Sequence, residues 1–116
     1  MELFNAIHEL KRLLSSDRSH PHWLWQLRQQ LFSLREELAS DRVRSFDGWL
    51  TAKASSTDRI RRQIMGRISV VLAKDFPDLE SAHLIGTRIL HDLEHFQQRV
   101  SDLTYDSVAM EIGGSE

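Results

Sequence analysis

Leu79, Ala82, Ile85, Ile89, Leu93, Phe96, Val100 and Leu103 recur at steps of three and four without a break. Apolar residues so spaced share one side of a helix turning ~100° per residue, whereas a strand alternates with period two and would scatter them over both faces. At ~1.5 Å per residue, a helix from Leu79 to Leu103 is a rod roughly 37 Å long. A globular domain of this length is only about 26 Å across, taking twice a radius of gyration of ~13 Å. A second copy of the chain is therefore expected to cover part of the rod, in a homodimer made through this helix, the one before it, or both.

The same spacing recurs upstream. Leu3, Ile7, Leu10 and Leu14, with Phe4 beside them, predict a helix over residues 2–14 whose far side carries Glu2, Glu9 and Arg12. Residues 15–20 hold no apolar side chain and end at Pro21, whose fixed φ suits the first turn of a second helix reaching Ala39. In that helix Leu24, Leu27, Leu31, Leu34 and Leu38 form a seam, with Trp23 on one flank and Trp25 and Phe32 on the other, so it should touch two neighbours. Ser40 suits the N-cap of a short helix carrying Val43, Phe46, Trp49 and Leu50, although Asp47-Gly48 would equally make a turn. Residues 55–58, Ser-Ser-Thr-Asp, read as a polar break before a helix marked by Ile60, Ile64, Ile68 and Val71. Its second half, Ile68 to Ala73, is apolar nearly all round, as in the middle of a bundle or at a subunit contact, and Gly66, Ser69 and Ala73 add a row of small side chains. Phe76-Pro77-Asp78 ends that helix and begins the long one, and residues 105–116 read as a fraying tail.

The chain is thus expected to be one all-α domain over residues 1–104, a small antiparallel bundle of four main helices and one short helix, with the long helix last. Its 5 Gly and 2 Pro in 116 residues are too few to punctuate an all-β fold.

With no Cys, disulfides, thiolate-bound metals and thiol nucleophiles are excluded, and a reducing cytoplasmic location is expected. His8, Glu9, Lys11 and Arg12 interrupt the first apolar stretch, so no signal peptide is read there, and no run approaches the ~18 apolar residues of a membrane span. No Gly-rich phosphate loop, nucleophile elbow or strand to carry one is present, so the chain is expected not to be an enzyme and to need no cofactor. His91-Asp-Leu-Glu94-His95 matches the H-x-x-E-H pattern of one zinc peptidase class, yet both histidines fall opposite the apolar stripe, on the wet side of the helix. Glu80-Ser-Ala-His83 has the Glu-x-x-His spacing of carboxylate-bridged di-metal bundles, which need that motif on two helices; one is found. No metal site is assigned.

The net charge of −2 is unevenly spread. Residues 1–40 hold five basic and five acidic side chains, residues 41–67 seven and three, and residues 68–116 three and nine. Lys53, Arg59, Arg62 and Arg67 in the basic middle third are the candidates for contacting phosphates, which would make the chain a nucleic-acid-binding accessory subunit or regulator. Pairing of these arginines with the acidic last third competes with that role. Trp25, Arg28 and Phe32, with Val70 and Ala73, are the candidates for a protein contact, because aromatic and Arg anchors dominate interface energetics. The leading expectation is a non-enzymatic helical interaction module, an adaptor or assembly subunit.

Overall fold

The structure, a computed structural model, describes the backbone of residues 2–40 and 51–113 and the side chains of residues 3–40 and 56–102. Its elements are α-helices throughout: α1 (Glu2–Leu14), α2 (Trp23–Leu38), α3 (Thr51–Leu72) and α4 (Leu79–Gly113). The short helix expected around Val43 to Leu50 lies outside the described residues.

Each helix end follows from where its orphaned backbone groups find partners. At the end of α1, Ser15 Oγ and Ser16 Oγ donate back to the carbonyls of Lys11 and Leu13, at 3.0 and 2.6 Å. Trp23 Nε1 also donates to Leu13 O, at 3.0 Å, and His83 Nε2 meets Leu14 O at 2.9 Å. A carbonyl only accepts, so His83 donates to it through an Nε2–H. Helix α2 begins at Trp23, two residues after Pro21, because Trp23 N–H donates to His20 O and closes a turn across Pro21-His22. At α4, Asp78 is the N-cap: its Oδ1 accepts the Ser81 N–H at 2.6 Å, which holds its carboxyl below the ordinary range.

Two boundaries differ from the sequence reading. Helix α3 runs unbroken through residues 55–58, starting at Thr51. Thr57 is buried, and Asp58 pairs with Arg61 and Arg62 at the i,i+3 and i,i+4 spacings that only a helix brings together. Helix α4 continues past Leu103 to Gly113, with no proline in its 35 residues and a Gly-Gly pair where it ends.

Polar contacts between helices set the topology. Trp23 meets Leu13 and Gln30 meets Ala6, so α1 and α2 are antiparallel. Arg28 meets Leu72, Arg35 meets Ser69 and Arg61 meets Leu38, so α2 and α3 are antiparallel. Arg67 pairs with Asp92 and Arg99 bonds Ser56 across α3 and α4. Lys11–Glu94 and His83–Leu14 close the ring between α1 and α4, again antiparallel. The result is an up-down-up-down four-helix bundle.

Its core is the expected stripes turned inward: Leu3, Ile7 and Leu10 of α1, Leu27, Leu31, Leu34 and Leu38 of α2, Ile64 and Ile68 of α3, and Ala82, Ile89, Leu93 and Phe96 of α4. The length comparison that called for a second copy does not hold. The molecule is elongated, 59 Å long and 24 by 19 Å across, with a radius of gyration of 16.4 Å, so a sphere of the same chain length is the wrong reference. One copy's α1, α2 and α3 bury Ala82, Leu93 and Phe96 fully and Ile89 nearly so; Leu79 at the start of the stripe is exposed.

Candidate docking face

On α2 the leucines of the seam point inward, which leaves Trp25 and Phe32, seven residues apart, together on the outer side. Trp25 is 62% exposed and Phe32 46%; neither ring completes the core. Arg35 lies over Phe32, its guanidinium carbon 5.1 Å from the ring centroid, and reaches Ser69 of α3. Trp23, by contrast, is buried, stacked on His83 with ring centroids 6.3 Å apart.

Arg28 is already occupied within the chain. Its Nη1 donates to Lys74 O at 2.9 Å and its Nη2 to Leu72 O at 2.6 Å, so it satisfies the carbonyls that end α3 and sets a positive charge on that negative helix terminus. It borders the groove between α2 and α3 together with Phe32, Arg35, Ser69, Leu72 and Ala73.

Helix α3 turns Gly66 and Val70 outward, and Ala73, just past its end, is exposed as well. Val70 is 57% exposed, and a Cβ built on Gly66 would meet nothing within 4 Å. On the α4 side of this row lies a second groove, floored by Gly66, Val70, Val71, Ile85 and Ile89 and edged by Arg67, Arg88 and Asp92. Phe32, Ala73, Val70 and Gly66 thus lie along a face that crosses from α2 over α3 to the α4 seam, while Trp25 borders the cleft between α1 and α2.

Two of the expected phosphate contacts are paired with carboxylates within the chain. Arg62 Nε lies 3.1 Å from Asp58, and Arg67 pairs with Asp92 of the acidic last third. Arg59 is exposed and has no carboxylate partner among the described residues, and the Lys53 side chain lies outside them. Arg61, between them in sequence, is 6% exposed: its Nη1 donates to Leu38 O at 2.9 Å and its Nε to Asp58 Oδ1 at 2.9 Å. Arg61 is not among the residues the sequence singled out. The signal was its spacing of three and seven from Ile64 and Ile68, which puts a cation on a core-facing line and demands a buried acceptor.

His91 and His95 are both exposed, and no cluster of three or more potential metal-binding side chains occurs among the described residues. Among them, no helix is long and apolar enough to cross a membrane. Family models, curated proteins and solved structures yield no match to this chain.

Proposed function

We propose that this chain is a non-enzymatic helical docking module that binds a protein partner through the α2–α3–α4 face. The observation that supports the reading is the exposure of Phe32 and Val70 along the α2–α3–α4 face, with Trp25 exposed two turns from Phe32 on α2, on a bundle whose core closes without them. Covering such side chains stabilises a complex by roughly 25 cal/mol per Å² of apolar area removed from water, before association costs. The arginines favour this reading over phosphate binding, since Arg62 and Arg67 are each paired within the chain.

The test compares wild type with a Trp25→Ser, Phe32→Ser, Val70→Asp variant of unchanged helicity. Sedimentation at micromolar concentration reports self-association, and affinity capture from the source organism's extract reports other partners. A dimer or a stoichiometric complex that the variant loses supports the reading and shows whether the partner is a second copy. Monomer with no capture, or capture indifferent to the variant, rejects it.

A further inference from the structure

We infer that the α3–α4 groove receives an acidic amphipathic helix of another protein, with small side chains against Gly66 and a carboxylate toward Arg88. The inference rests on the docking reading and gives the partner its chemistry.

The floor requires apolar contact at close range. Gly66 carries no side chain and the space above it is open, so a partner helix can approach the α3 backbone more closely there than beside any larger residue. Val70 and Val71 from α3, with Ile85 and Ile89 from α4, provide the apolar walls.

The rim selects charge. Arg88 is exposed with no carboxylate partner among the described residues, and Arg67 is matched by Asp92. Cations therefore outnumber acids beside the apolar floor, while Asp75, Asp78 and Glu80 cluster at the α3–α4 turn. A partner helix gains most with a carboxylate set toward Arg88 and away from that turn. A second copy docking by the same face would offer Arg88 no carboxylate but Asp92, which Arg67 already holds. Nucleic acid fits poorly, because the groove lining contains no aromatic platform for bases and its floor has nothing to offer a phosphate.

The probes are two synthetic amphipathic helical peptides with the same Ala/Leu face, one flanked by Glu and the other by Lys, titrated into the isotope-labelled full chain and followed by amide shifts. The Glu peptide is expected to shift Gly66, Val70 and Arg88, and the Lys peptide to leave them unmoved. Arg88→Glu should weaken the Glu peptide by roughly tenfold and admit the Lys peptide. Gly66→Leu should abolish binding without lowering Tm, which separates blockage of the groove from unfolding. Equal binding of the two peptides, binding of neither, or shifts elsewhere overturns the inference. So does a dimer made through these residues, or a single-stranded oligonucleotide that shifts them when the Glu peptide does not. If the peptides fail while Trp25→Ser with Phe32→Ser still abolishes partner capture, the docking reading stands and the partner's chemistry is other than acidic.

Discussion

Arg28 and Arg61 cap each other's helices: Arg28 on α2 donates to the carbonyls of Leu72 and Lys74 that end α3, and Arg61 on α3 donates to Leu38 O at the end of α2. The antiparallel pair is thus fastened at both ends by a guanidinium set on an unfavourable helix terminus. Arg61→Ala is expected to cost about 2–4 kcal/mol, since Leu38 O loses its buried donor and Asp58 an arginine partner. Arg28→Ala should cost less, about 1–2 kcal/mol, because its end of the bundle is wetter. The two sites share no partner, so the double variant should equal the sum within about 0.5 kcal/mol in urea unfolding.

Two glycines predict effects of opposite sign. Gly66 sits in a helix with open space where a Cβ would go, so Gly66→Ala should raise stability by about 0.5–1 kcal/mol through helix propensity alone. A Cβ on Gly86 would lie 2.9 Å from Leu14 Cδ2 and 3.4 Å from Leu27 Cδ1. Gly86→Ala should therefore destabilise by roughly 1 kcal/mol net, and Leu14→Val in the same chain should recover part of that loss. Thermal melts of the single and double variants check both signs.

Two tryptophans two positions apart should behave as strangers. Trp25→Ser removes a ring that faces water and should change stability by no more than about 0.5 kcal/mol. Trp23→Ala empties the place of a side chain only 1% exposed and removes the donor to Leu13 O, and should cost about 3–5 kcal/mol. Iodide quenching of a Trp25→Phe variant should be weaker than that of wild type, because its most accessible indole among the described residues is gone.

Acid should loosen the start of α4. The Ser81 N–H and hydroxyl hold the Asp78 carboxyl below its ordinary value. A carboxyl depressed in the folded state contributes stability above its unfolded pKa and loses it as pH falls through the folded one, because the unfolded chain then binds more protons. Tm should fall as pH drops below about 4, the ordinary carboxyl range. Asp78→Ser, which caps without titrating, should show a smaller fall; an identical acid profile would contradict this account. Asp17, likewise lowered by the N–H and hydroxyl of Ser19, should add a second part to the same slope.

Much of the architecture was legible because a helix forces its own bookkeeping: Leu27, Leu31 and Leu34, or Ile89, Leu93 and Phe96, share a side whatever the rest of the chain does. Polar residues were less readable. Residues 55–58 looked like a break because hydroxyls and carboxylates suit caps; what keeps them helical is Arg61 and Arg62 reaching back to Asp58, a gain realised only once the helix exists. Arg28 read as an interface anchor for a similar reason: the carbonyls it satisfies are far away in sequence, at Leu72 and Lys74.

Local spacing by itself determined that the chain is helical, which residues share each inner face, and that Phe76-Pro77-Asp78 separates two helices, since these depend only on backbone periodicity and the φ of proline. The tertiary structure decided what those faces meet. It closed an elongated ring that buries Leu93 and Phe96 within one copy, left Trp25, Phe32 and Val70 outside, and used Arg28 and Arg61 as caps. Burial and charge pairing depend on distances between segments far apart in the chain, and no periodicity encodes those.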